Sequence, residues 1–429
     1  VLKFQLIITW TAWVLIFLAS GSAQAQKPFV ILFSEVHTIP SDSGNTVYYS
    51  YRIPFSNLVF EKKGNSYSAN FRILVEVADS VKKFVARQIS EKSLTAKDFD
   101  QANSKEIFYE GFIDFHLPSA AYFLNPVFTD INSGREINLE PIFLPMSAQG
   151  NFLDAIIRTV NEFSCNDESF HALSNFNNNL PFGESEHEFI VPSPDTSVSN
   201  IYVLIINNSD TVFNGTADGQ LISPVDFLEC GGKILISGTN GKENGKPLKL
   251  FVVKNITKNL FEGILTIFVS DAPFGTNSKP EKAYNGRVNW YNKPLSLSNP
   301  EVAIKMLKYI ESDSLISTLL SHKEKEYPKQ LFEYWKKYDP APQTAFNPLM
   351  LEYYSRVDYA QRNFSTITGT KGIDSDRGMV FIKFGKPTKV ERTSDEYGKI
   401  VETWSYEKLQ KRFVFVDRQG TGEFLLRNG

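Results

Sequence analysis

The chain has 429 residues, a length that suggests two or three domains, and is 42% hydrophobic and 22% charged, which excludes a disordered chain. Forty-five basic residues lie scattered among 48 acidic ones for a net charge of −3, so no basic stripe exists to neutralise a nucleic-acid backbone. Five His, two Cys and four Met weaken readings that need a metal cluster or a Met-lined pocket, whereas 35 Phe, 18 Tyr and 5 Trp favour strands with aromatic cores.

Lys3, the apolar run 4–19 and then Ala23-Gln24-Ala25 have the order of a secretory signal, with cleavage expected after Ala25. No second apolar stretch is long enough to span a bilayer. The expectation is an exported protein, periplasmic or at the cell surface, with no integral membrane span after cleavage. Under oxidising conditions Cys165 and Cys230 either form a disulfide or stay as buried thiols, and their spacing does not decide between the two.

Residues 26–146 read as one antiparallel β-sandwich. Tyr67, Ala69, Phe71, Ile73, Val75 and Val77 alternate with mainly polar neighbours, which gives a strand with one buried face. Residues 47–60 and 109–117 read as further strands. Lys63-Gly64-Asn65 and Asn132-Ser133-Gly134 read as turns. Tyr48-Tyr49-Ser50-Tyr51, with Trp290-Tyr291, are either strand core or an exposed platform for a glycan or peptide.

Residues 147–295 read as a second β-rich domain, with strands at 187–191, 201–207, 233–237, 248–254 and 262–270. The stretches 174–186, 207–220 and 239–246 are rich in Asn, Ser and Gly and read as surface loops. Residues 152–163 fit a helix or a strand equally. His187, within Glu184–Glu188, reads as a solvated strand start, and no His lies in an H-E-x-x-H spacing.

Residues 296–429 form a helical segment followed by a small antiparallel sheet, an α+β unit. Asn299-Pro300 and Asn347-Pro348 each place a capping Asn before Pro at a helix start. Val302, Met306, Leu307 and Ile310 share one helical face; Leu349, Tyr353, Val357, Ala360 and Phe364 share another. Pro328 marks a kink or restart, and Asp339-Pro340-Ala341-Pro342 is a stop. Residues 379–384, 400–406, 413–416 and 423–426 read as strands. The fold class is thus mainly β plus α+β: two sandwich-like domains, a helical segment and a C-terminal small sheet.

The last hundred residues carry ordered motifs: Phe332-Glu333-Tyr334-Trp335, Asp339-Pro340, Tyr354, Arg356 and Tyr359 inside 347–364, Gly372-Ile373-Asp374-Ser375-Asp376-Arg377-Gly378, Phe384-Gly385-Lys386-Pro387 and Trp404-Ser405-Tyr406. In order and spacing this text resembles the exported GWxTD domain proteins of Bacteroidetes, over roughly 325–427. Ile373 stands where that family has Trp, and Ser375 where it has Thr. The resemblance implies an envelope address and an architecture but no reaction, and it marks Trp335, Asp339, Arg356, Gly372, Asp376, Arg377, Gly378, Gly385, Pro387 and Trp404 as structural or interaction residues.

Asp374-Ser375-Asp376 lacks the later ligands of a calcium loop, so no metal is expected there. No G-x-S-x-G elbow, Walker loop or G-x-G-x-x-G occurs, and no cofactor or catalytic residue is assigned. The expected function is a non-catalytic scaffold or interaction protein of the cell envelope with a protein partner. The rivals are a hydrolase or glycan-acting enzyme using Asp339, Asp374 or Asp376, and a carbohydrate-binding sandwich.

Overall fold

The computed structural model describes residues 32–146, 151–223, 225–237, 246–275, 280–367 and 369–427; the leader and its cleavage point lie outside them. The first region holds strands β1 (Phe33–Ser41), β2 (Gly44–Pro54), β3 (Glu61–Lys63), β4 (Ser66–Asp79), β5 (Phe84–Ala96), β6 (Phe108–Leu117), β7 (Tyr122–Asp130), β8 (Arg135–Asn138) and β9 (Ile142–Leu144), with one helical turn, α1 (Phe99–Ala102). Three strands, in the order β1-β2-β6, face a second sheet centred on β4 and β7. The alternation in β4 works as expected: Ala69, Phe71, Ile73, Val75 and Val77 are buried and meet Tyr49, Tyr51 and Ile53 of β2. Gly64 turns the β3–β4 hairpin at φ +62°, a conformation that costs glycine nothing.

The second region contributes β10 (Ile156–Cys165), β11 (Glu168–Leu173), β12 (Asn179–Pro181), β13 (His187–Ser193), β14 (Asn200–Asn207), β15 (Asp210–Ser223), β16 (Asp226–Cys230), β17 (Lys233–Ser237), β18 (Leu248–Val253), β19 (Gly263–Ser270) and β20 (Lys282–Asn289). They join in one sheet of order β12-β20-β19-β14-β15-β18-β13-β10-β11-β17-β16. β15 pairs with β14 along its first half and with β18 along its second, so the sheet turns a corner and wraps a core of Phe189, Val203, Ile205, Phe251 and Ile267. Three expectations change here. Within 174–186, read as a surface loop, Asn179–Pro181 is β12, paired with β20, and Asn175, Phe176 and Leu180 are buried. Residues 207–220 are a hairpin and a strand, not a loop; Asn208 and Ser209 make the turn at φ +56° and +94°, and pairing first with β14 and then with β18 overrides the weak β propensity of Asn, Gly and Asp. Residues 239–245 of the last expected loop lie outside the described residues. His187 begins a strand but is buried, not solvated. The ambiguous 152–163 segment resolves largely as β10.

The sheet β1-β2-β6 is covered on both faces. Ile39 and Tyr48 pack on Ile156, Leu173, Phe176, Ile190 and Phe227 of the second region. This is why β2 reads as an unbroken Tyr-Tyr-Ser-Tyr run and not as an alternating one. The aromatic platform is therefore ruled out: Tyr48, Tyr49 and Tyr51 are buried, Trp290 packs on Phe182 and Phe346, and Tyr291 on Phe33 and Phe108. The two carboxylates caught deepest in this interface are paired. Arg52 and Lys233 hold Glu110 at 2.9 and 3.0 Å, and Arg52 lies 4.1 Å over the Phe176 ring. Glu35 accepts hydrogen bonds from Asn175 at 2.7 Å, the Asn178 amide at 3.1 Å and Tyr284 at 3.2 Å.

Burial pushes the Glu35 carboxyl up to about 7 and pulls the His37 and His187 imidazoles down to about 4. The histidines add stability that is full above their unfolded value and is lost as pH falls towards 4. Glu35 adds stability that is full below the carboxylate range and is lost as pH rises through 7. Each group spans roughly 3 kcal/mol, and two histidines outweigh one glutamate. Urea unfolding is expected to show a net loss of roughly 3 kcal/mol between pH 7 and 4. Glu35→Gln is expected to remove the decline above pH 6 and to deepen the loss between pH 7 and 4 to roughly 6 kcal/mol, because nothing then offsets the histidines.

Cys165 at the end of β10 and Cys230 at the end of β16 form a disulfide with Cα atoms 6.3 Å apart. It ties together the edge of the sheet built from β10, β11, β17 and β16.

The C-terminal region holds α2 (Pro300–Met306), α3 (Asp313–Leu320), α4 (Tyr327–Lys336), α5 (Pro348–Asn363) and α6 (Asp376–Phe384), then β21 (Lys389–Ser394), β22 (Ile400–Tyr406), β23 (Lys411–Asp417) and β24 (Phe424–Leu426) as a four-stranded antiparallel sheet in that order. Asn299 caps α2 through the Val302 amide at 3.2 Å. Asn347 caps α5 through the Met350 amide at 3.0 Å, and its Nδ2 donates to the Trp335 carbonyl at 2.9 Å. Pro328 sits in the first turn of α4, where its missing N–H costs nothing. The inward stripe of α5 is Tyr353, Tyr354, Val357 and Ala360, while Leu349, Val302 and Ile310 lie at the surface. Residues 379–384, expected as a strand, are the body of α6. Ser375 caps this helix by accepting from the Gly378 amide at 3.0 Å, and that local bond outweighs the strand-like composition of Val380, Phe381 and Ile382.

Candidate functional site

The motif residues meet where α5, α6 and the C-terminal sheet join. Gly372 lies against the end of α5: a Cβ there would stand 2.0 Å from the Ala360 carbonyl oxygen. A Cβ on Gly378 would stand 1.9 Å from the Gly372 carbonyl oxygen. Three backbone segments thus stack directly, with no room for a side chain. Ser375 completes the joint; its hydroxyl donates to the Gly372 carbonyl at 2.8 Å while capping α6. Gly378→Ala is expected to cost about 3 kcal/mol, because the obstacle is backbone and cannot swing aside. The check is urea unfolding followed by far-UV circular dichroism.

The acids of this region serve separate partners. Asp339 accepts from the Ala341 amide at 2.8 Å and closes the turn after α4. Asp374 pairs with Lys308 at 2.7 Å, and both side chains are well exposed. Asp376, in the first turn of α6, accepts the Leu426 amide at 2.6 Å and so joins this helix to β24. Its charge also suits the positive end of the helix. With 379–384 helical and not a strand, the Asp376 bond is a tie between a helix and the last strand.

Arg377 is engaged on every side. Its guanidinium lies 4.0 Å from the Phe424 ring centroid and 5.2 Å from that of Phe364. Nη2 donates to the Gly422 carbonyl at 3.3 Å, and Nη1 lies 3.7 Å from Glu402. Glu402 is 3% exposed. It also accepts from Arg392 at 2.6 Å and from the Trp404 indole at 2.7 Å. Burial pulls the Arg377 guanidinium below its ordinary value, and Glu402 opposes that shift. One buried carboxylate therefore gathers two arginines and a tryptophan.

Arg356 joins α5 to the other end of α6. It pairs with Glu352 one turn earlier and donates to the Ile382 carbonyl at 3.4 Å. Gly385 takes φ +77° beside this guanidinium and accepts the Tyr406 hydroxyl at 2.8 Å. Pro387 lies in the link from α6 to β21, beyond the helix end. Trp335 stands apart from the joint, buried on α4 with ring centroids 5.3 and 5.9 Å from Tyr353 and Tyr354. Ile373, at the family's Trp position, is half-buried against the same core, and the Tyr309 hydroxyl donates to its carbonyl.

The structure thus brings Arg356, Gly372, Asp376, Arg377, Gly378, Gly385 and Trp404 to one joint and leaves Trp335 and Asp339 at a neighbouring packing site. Sequence reasoning missed Glu402, the hub of the joint. The signal was present: β22 alternates, and Glu402, Trp404 and Tyr406 fall on its buried face. A carboxylate on such a face demands a cationic partner.

Residues 279–424 match the family model described as GWxTD domain. This match starts ahead of the motif text at 325–427 and takes in β20. Comparison with curated proteins finds no match. On the family match, with the motif residues in their places around α6, the chain contains a GWxTD domain.

Proposed function

We propose that the chain is an exported, non-catalytic envelope protein that works by binding another protein, with the GWxTD domain as a rigid module of that scaffold. The observation that carries this reading is the commitment of the motif side chains: Asp339, Asp374 and Asp376 each serve a different turn, ion pair or strand, and Arg377 is spent on Glu402 and two rings. A hydrolase would need two of these acids facing one point with separated proton affinities. The Cys165–Cys230 disulfide favours an oxidising compartment, in keeping with the leader-like residues 3–25. Among the described residues no helix is long and apolar enough to cross a membrane.

Crosslinking and pull-down from the native envelope tests the reading. Recovery of a defined protein partner is expected, and Asp376→Asn is expected to leave that capture intact because the amide oxygen still accepts the Leu426 N–H. Turnover of a glycan or peptide that disappears in Asp376→Asn would overturn it.

A further inference from the structure

Among the described residues the first sandwich is open along one side. β1 is the end strand of its sheet, and among the described residues it pairs only with β2. Opposite it, across the mouth of the sandwich, run residues 137–144 of the other sheet. Between these rims lies a cleft of about 1070 Å³, at the upper limit of small-molecule sites.

The two sides of this cleft differ in chemistry. On the side of the sandwich core, Val36 of β1 faces Ile137, Leu139 and Ile142, all only half-buried against that core. On the side of the second region the lining carries the carboxyl groups of Glu35, Asp154 and Glu281. The single cation there, Lys282, is held by Asp154 at 2.6 Å. A strand added beside β1 would project alternate side chains to these two sides, since successive residues point to opposite faces. Main-chain bonds to an open edge supply affinity in such additions, and the alternating pockets supply specificity.

We infer that this cleft is the docking site for an extended segment of a partner protein, which adds as a fourth strand beside β1. Its apolar side chains pack inward on Val36, Leu139 and Ile142, and its Lys or Arg side chains face the exposed carboxyl groups of Asp154 and Glu281. The inference rests on the reading of the chain as a protein-binding molecule and adds the chemistry of the segment bound. A glycan or small cation would leave the edge of β1 unused.

The test uses the whole chain and fluorescence anisotropy with a short labelled peptide that alternates Lys and Val. Saturable binding is expected. Replacing Lys by Glu in the peptide, or methylating alternate backbone nitrogens, is expected to weaken binding at least about tenfold. Asp154 and Glu281 are exposed, so the charge reversal Asp154→Lys with Glu281→Lys leaves the core untouched. That variant is expected to exchange the preference, taking the Glu peptide over the Lys peptide. Absence of saturable binding, or binding indifferent to backbone methylation and charge, overturns the inference. A native partner that still binds the charge-reversed variant also overturns it while leaving the proposed function standing. Loss of both native partner and peptide in the wild-type protein defeats the two together.

Discussion

Arg377→Ala is expected to lower the stability of the C-terminal region by about 3–5 kcal/mol, the usual result of removing one partner of a buried ion pair. The reason is what stays behind. Glu402 remains buried, with Arg392 as its cation, and the Arg392 side chain is 67% exposed, so water competes for it. The faces of Phe424 and Phe364 lose the guanidinium between them, and the Gly422 carbonyl loses its donor. Arg377→Lys retains the charge but not the flat fork that stacks between rings, and is expected to recover only part of the loss. Tryptophan fluorescence during urea unfolding reads both, since Trp404 bonds directly to Glu402. An unfolding midpoint unchanged in Arg377→Ala would show that the contacts around Glu402 add nothing to stability.

The second large effect belongs to the disulfide. Cys165 and Cys230 are 65 residues apart in sequence, and both end strands that lie three places apart in the sheet order. Closing a loop of that length is worth about 4 kcal/mol through the unfolded chain. Replacing both cysteines by Ala is expected to lower stability by about that amount, with the β10–β11–β17–β16 edge giving way first. Reduction of the wild-type protein is expected to produce the same shift. Hydrogen exchange of the β16 and β17 amides would locate the loss; protection unchanged at that edge would contradict the assignment.

The legible parts of the fold share a cause: their information is local. Alternation in β4, β14 and β22 reports one buried face, and Asn299-Pro300 and Asn347-Pro348 mark helix starts by capping chemistry within three residues. The illegible parts depend on distant neighbours. β2 loses its alternation because the second region covers its outer face. β15 contains Asn214, Gly215, Asp218 and Gly219 and is a strand only because β14 and β18 pair with it. α6 is short and rich in β-forming residues, so the Ser375 cap decides its state against composition.

The site follows the same rule. Gly372, Asp376, Arg377 and Gly378 fall within seven consecutive residues and stand out as a motif. Glu402 does not, because Arg377 and Arg392 reach it from another helix and another strand. Sequence reasoning allows that a sheet edge of either sandwich accepts a partner strand but does not say which: an open side is a property of two sheets, and no residue of β1 announces it.

The central claim is that the motif acids and arginines join structural elements and do not turn over a substrate. Comparing the urea unfolding of Asp376→Ala and Asp376→Asn with that of the wild-type protein tests it most directly. The account predicts a loss of about 1–3 kcal/mol for Ala, which leaves the Leu426 amide without its acceptor, and a smaller loss for Asn, which keeps an oxygen there. Wild-type stability in both variants, together with loss of a measured turnover, would contradict it.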